Sequence, residues 1–110
     1  MPAPSNSAQT ALDLLVLTIL ERRGPQHGYA IAAAIQELSE ETLRVEEGSL
    51  YPALHRMEEA GWIRAEWITK ESGRRARLYK LTPAGKKQLV VEQTRWETIT
   101  AAVGRVLRTV

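Results

Sequence analysis

The chain has 110 residues, with 15 Lys and Arg against 13 Asp and Glu, no cysteine and no phenylalanine. That length supports one domain with a modest core. The lack of cysteine excludes disulfides, thiolate metal sites and a cysteine nucleophile, and no apolar run reaches the ~20 residues that span a bilayer. The opening "MPAPSNSAQ" has neither a basic start nor an apolar stretch, so it is not a signal peptide. Residues 1–9 read as a disordered tail, and the protein is expected to be cytoplasmic.

Charge is distributed unevenly. Residues 21–63 hold eight acidic and four basic side chains, whereas residues 64–87 hold eight basic and two acidic ones. Such a basic block is either a local electrostatic footprint for a polyanion or an ordinary solvated hairpin, and charge alone does not separate the two.

The stretch "ALDLLVLTILERR" predicts a first helix over residues 10–23. Leu12, Leu15, Val16 and Ile19 share one face at helical spacing, while Leu14 and Leu17 fall on roughly the opposite side. A helix apolar on two faces needs two partners, the second being a distant element of the chain or another subunit. "GPQHGY" ends it, and a second helix over residues 27–39 is expected to bury Ile31, Ile35 and Leu38. "EETLRVEE" is a brief strand or an extended connector, with Leu43 and Val45 as its apolar centre.

"GSLYPALHRMEEAGWI" carries the third helix, over residues 49–59, with Pro52 expected in the first turn and Gly61 as the stop. Leu50, Leu54 and Met57 form its buried face with Ala53 beside them, and Pro52, His55, Arg56 and Glu59 the opposite one. "WIRAEWIT" alternates as a strand, with Ile63, Ala65 and Trp67 on one side. A turn at Gly73 and a return strand bearing Tyr79 and Leu81 follow. Thr82 is a fitting N-cap and Pro83 a fitting first residue for a last helix running to the end of the chain.

Helix, helix, helix, hairpin, long helix is the order of a winged helix-turn-helix: mainly α with a small β-hairpin. The DNA-binding unit is residues 10–82, and a dimerisation helix occupies residues 83–110. A helix is wide enough to enter the DNA major groove, and a basic hairpin beside it can hold the phosphate backbone. Three arginines, Arg74, Arg75 and Arg77, cluster where the hairpin tip falls.

Three blocks, "GPQHGYAIAAAI", "EEGSLYPALHRMEEAGWI" and "GRRARLYKLTPAGKKQL", resemble the signature segments of the PadR-like transcriptional regulators, in the same order. The short C-terminal region resembles that family's shorter subgroup. The resemblance implies a dimeric repressor on palindromic double-stranded DNA, released by a small hydrophobic or phenolic effector. It places DNA contacts at Ser49, Tyr51, Pro52, His55, Arg56, Arg74, Arg75 and Arg77. Two roles stay open at Tyr51, phosphate contact or packing beside the wing, and two at Arg56, DNA contact or pairing with Glu58 or Glu59. Glu46 and Glu47 precede the third helix, where they favour its dipole but would repel a phosphate.

In the last helix Leu89, Trp96, Val103 and Val110 recur every seven residues, with Ile99 and Val106 between and Leu107 adjacent. That is a short coiled-coil seam, expected to join Leu14 and Leu17 in a homodimer interface. Trp96 lies in the seam and is the candidate for stacking on a planar aromatic effector, or is plain interface packing. Nothing suggests catalysis: the two histidines, His27 and His55, show no metal-ligand spacing, and Ser49 has no base and orienting acid. No metal or cofactor is expected. The rival reading is a winged-helix module that binds protein without DNA.

Overall fold

A computed structural model describes residues 7–109 of the chain. Its elements are α1 (Ser7–Arg23), β1 (Gln26–His27), α2 (Gly28–Leu38), α3 (Glu47–Glu59), β2 (Ile63–Thr69), β3 (Arg75–Leu81) and α4 (Pro83–Thr109). Residues 1–6 of the expected tail and Val110 of the expected seam lie outside the described residues, and residues 7–9 of that tail are the first turn of α1.

α1 is the central element. It packs against α2, α3, β3 and α4 of its own chain, which is why it is apolar nearly all round. Val16, Leu17, Ile19 and Leu20 are buried with Ile31, Ala34 and Ile35 of α2 and Leu50, Ala53, Leu54 and Met57 of α3. Leu17, expected at a dimer surface, is therefore a core residue: it is 0% exposed within one chain and has no area left for a second.

α2 ends at Leu38, with Ser39 as its cap. Ser39 Oγ accepts from the Leu43 N–H at 2.9 Å, and Glu40 and Glu41 leave the helix at φ 52° and 67°. Positive φ at two consecutive non-glycine residues is uncommon and redirects the chain sharply. Leu38, expected in the core, is left 58% exposed at that end. Residues 42–46 form a connector and not a strand.

α3 starts two residues before its expected first position, so Pro52 falls in the second turn. Pro52 leaves the carbonyl of exposed Gly48 without its helical donor, a loss that solvent can make good. At the far end Trp62 N–H bonds Met57 O and Gly61 N–H bonds Glu58 O, both at 3.0 Å, with Gly61 at φ 81°. This is a Schellman close, and only glycine takes that φ without strain.

The hairpin pairs β2 and β3 in register from Ile63↔Leu81 to Thr69↔Arg75. β1 adds a third, antiparallel strand on the other side of β3, with Gln26↔Tyr79 and His27↔Leu78, so the sheet order is β1-β3-β2. One sheet face runs from buried Ile63 and Tyr79 near the core to Trp67, Arg77 and Arg75 toward the tip. Trp67 is consequently 56% exposed, although its alternation with Ile63 and Ala65 had pointed it at the core.

Thr82 caps α4 as expected: its Oγ1 accepts from Gly85 N–H at 3.0 Å and donates to the carbonyls of Gly61 and Trp62. A Cβ at Gly85 would sit 2.0 Å from the Trp62 carbonyl oxygen, so the α4 start can lie this close to the end of α3 only with glycine there. The 27 residues of α4 extend about 40 Å. Its first half packs on α1, while Val103, Val106 and Leu107 are 52%, 65% and 74% exposed.

Candidate nucleic-acid interface

The buried stripe Leu50–Leu54–Met57 seats α3 on the core and turns Ser49, Tyr51, Pro52 and His55 to solvent. His55 Nε2 lies 3.0 Å from Glu59 Oε1, and both side chains are 71% exposed. At the wing tip Lys70 N–H bonds the Arg74 carbonyl at 2.8 Å and Gly73 takes φ 87°, a tight closure that leaves Arg74 and Arg75 exposed. Neither arginine forms an ion pair among the described residues.

Between wing and helix is a recess of about 260 Å³ lined by His27, Tyr29, Tyr51, Trp67, Arg75 and Arg77. The Arg75 guanidinium lies 4.9 Å from the Trp67 ring centre, and that of Arg77 5.5 Å. The Tyr51 ring closes on α2: its carbons and hydroxyl come within 3.1–3.3 Å of where a Cβ on Gly28 would be. Tyr51 thus packs on α2 while remaining 44% exposed. His27 stacks on Tyr29 with ring centres 5.5 Å apart, and the Lys70 ammonium lies 4.9 Å from the Tyr29 ring. β1 holds this corner in place, with His27 Nδ1 2.9 Å from the Arg77 carbonyl oxygen. His27 and Tyr29 carried no such role in the sequence; the "HGY" triplet following a helix stop was the only visible signal.

Two of the expected contact residues are engaged elsewhere. Arg56 pairs with neither Glu58 nor Glu59; it donates two hydrogen bonds, 2.8 and 2.7 Å, to the two carboxylate oxygens of Asp13 on α1. These bonds hold the Arg56 guanidinium above its ordinary pKa; partial burial opposes them, and the charges of Asp13 and Glu92 reinforce them. Asp13 is 4% exposed, so Arg56 tethers α3 to α1 and does not face outward with His55. Arg77 reaches back to Glu58 Oε2 at 2.8 Å and covers the buried Tyr79 ring. Burial pushes the Tyr79 phenol up in pKa, against the pull of Arg77. Arg74 and Arg75 at the wing tip are therefore without a carboxylate partner among the described residues, and Lys70 beside them lies against the Tyr29 ring.

A second recess, about 520 Å³, lies between α1 and α4. Leu14, Leu15, Leu89 and Trp96 form its apolar part, and Glu21 and Arg22 part of its polar rim. Leu14, Leu89, Trp96 and Ile99 are half-buried in a single chain. Among the described residues, no group of three or more His, Asp or Glu is placed to hold a metal ion, and no helix is long and apolar enough to cross a membrane.

Similarity to known proteins agrees with this geometry. The chain is 40% identical over 68 residues to the transcriptional regulator Rv3488 of Mycobacterium tuberculosis, covering 62% of this chain and 63% of that one. It spans less than two thirds of the length of the curated relatives it matches. A transcriptional regulator structure from Clostridium thermocellum superposes with a TM-score of 0.82 at 27% identity, covering 92% of this chain and 97% of the other. A PadR family regulator from Eggerthella lenta superposes with a TM-score of 0.76 at 28% identity, covering 94% and 88%. Residues 16–91 match the transcriptional regulator PadR-like family, with the wing, α3 and the Thr82–Gly85 start of α4 all inside the match, and the chain belongs to that family.

Proposed function

We propose that the protein is a cytoplasmic homodimeric repressor that reads a palindromic operator with the outer face of α3 and grips the flanking backbone with the wing. The observation that carries this reading is the meeting of Tyr51 and Arg75 around one recess, which makes α3 and the wing a single surface. Exposed Ser49, Pro52 and His55 extend it along the helix, and Arg74 extends it along the hairpin. A solvated hairpin has no use for unpaired arginines placed against the exposed face of a helix; a phosphate backbone does. A protein-binding module has no use for them either.

Pairing of two chains rests on the exposed Val103, Val106 and Leu107 of α4, together with Leu14, Leu89, Trp96 and Ile99 beside the α1–α4 recess. Trp96 supplies a flat wall to that recess, which suits a planar aromatic effector. A ligand there favours one angle between α1 and α4, and so one separation of the two reading heads.

The test is duplex affinity as a function of salt. Neutralising about six phosphates gives a slope of log K against log salt near −5. Absence of binding to any duplex at low salt would contradict the DNA reading and favour the protein-binding module.

A further inference from the structure

Trp67 stands on β2 where the packed face of the sheet has already ended, with 56% of its surface exposed. Its bulk is not needed for the core there, and a β-branched or polar residue would serve the strand as well. Its neighbours give the indole a use. Arg77 lies directly across the ladder, with its guanidinium 5.5 Å from the ring centre, and Arg75 lies diagonally toward the tip, at 4.9 Å.

The two arginines differ in what else holds them. Arg77 is tied at 2.8 Å to Glu58 of α3 and lies over the Tyr79 ring, 5.8 Å from its centre. Arg75 has no carboxylate partner among the described residues, and its guanidinium lies against the indole. Glu58, Arg77, Trp67 and Arg75 thus form a continuous file that starts on α3 and ends at the wing tip. An arginine on a hairpin tip samples many rotamers, and a phosphate contact freezes them. A guanidinium already held against a ring has fewer of them left to lose when DNA arrives. A carboxylate partner would occupy its N–H donors and offset its charge. A ring attracts the charge and leaves the donors available to phosphate oxygens.

We propose that Trp67 is a positioning residue of the wing: its indole holds the Arg75 guanidinium ready for a backbone phosphate, and the Glu58–Arg77 pair fixes that indole relative to α3. The role rests on the DNA reading above. Tyr51 of α3 lines the same recess as Trp67 and Arg75, so the positioned charge and the helix border one space.

The full-length protein is compared with Trp67→Leu, which keeps an apolar side chain without a ring, and Trp67→Phe, which restores a ring. Without DNA, the readout is the NMR shift of the Arg75 δ-methylene protons. An upfield ring-current shift is expected in the unsubstituted protein and in Trp67→Phe, and its loss in Trp67→Leu. With a mixed-sequence duplex, Trp67→Leu is expected to weaken binding about three- to fivefold, the size of an exposed cation–π contact, and Trp67→Phe to recover part of it. The salt slope stays that of the unsubstituted protein, because Arg75 still reaches phosphate, whereas a wing that had come apart would lose slope. In an Arg75→Ala background Trp67→Leu costs nothing further. Trp67→Phe with Arg75→Ala supplies the same cycle if Trp67→Leu does not fold. The proposal is overturned by an unshifted Arg75 in the unsubstituted protein, by a folded Trp67→Leu that binds duplex unchanged, or by an equal loss when Arg75 is already alanine. Absence of duplex binding by the unsubstituted protein, with the Arg75 shift present, contradicts the DNA reading and removes the positioning role with it.

Discussion

Arg56 of α3 and Asp13 of α1 are joined by two hydrogen bonds of 2.8 and 2.7 Å across 43 residues of sequence. The pair is asymmetric: the Asp13 side chain is 5% exposed and that of Arg56 38%. Removing the arginine leaves a buried carboxylate unpaired, whereas removing the carboxylate leaves a guanidinium that can find water. Arg56→Ala is therefore expected to cost more stability than Asp13→Ala: about 3 kcal/mol against about 2 kcal/mol, since half-exposure of one partner reduces the penalty of a fully buried pair. Urea denaturation of the two variants and the double variant checks this. Equal, small losses would show that the pair does not hold α3.

Arg75→Ala is expected to weaken binding to all duplexes about equally and to lower the salt slope by about 1. Arg77→Ala should behave differently, because its guanidinium is already held by Glu58 and lies over Tyr79. Its main effect is a loss of stability of about 1–2 kcal/mol. Fluorescence anisotropy with specific and unrelated duplexes, beside thermal unfolding, separates the two arginines.

His55→Ala is expected to relax sequence preference, costing about 1–3 kcal/mol on the preferred site and little on unrelated DNA. Its side chain is free to move onto a base edge because its partner among the described residues, Glu59, is equally exposed. A uniform loss across sequences would reassign His55 to phosphate contact.

Gly85→Ala should destabilise the fold by about 3 kcal/mol or more, because the added Cβ would meet backbone, the Trp62 carbonyl oxygen at 2.0 Å. Gly24→Ala is the comparison: it has open space but a φ of 76°, so a loss of about 1 kcal/mol is expected. Chemical denaturation of both distinguishes collision from backbone strain.

Much of this architecture can be read from local signals. The spacing of Leu50, Leu54 and Met57, the Gly61 stop, the Thr82–Pro83 start and the Gly73 turn each act within a few residues, and each is found in the structure. What could not be read depends on partners distant in sequence. β1 is two residues long and exists only through its pairing with β3. Leu17 looked like surface because the helical repeat cannot show that α1 is enclosed by elements on several sides. Arg56 had Glu59 one helical turn away and Glu58 close in sequence, but its actual partner lies in another helix. Trp67 follows the strand alternation faithfully, but the core ends before the strand does, and the ring meets arginines instead.

The central claim is that α3 and the wing form one DNA surface, duplicated through α4. Selection of bound duplexes from a random pool tests it most directly. The account predicts enrichment of an inverted repeat whose half-sites are centred one duplex turn apart, about 34 Å. Recovery of no sequence, or of a lone half-site bound by a single chain, would contradict it.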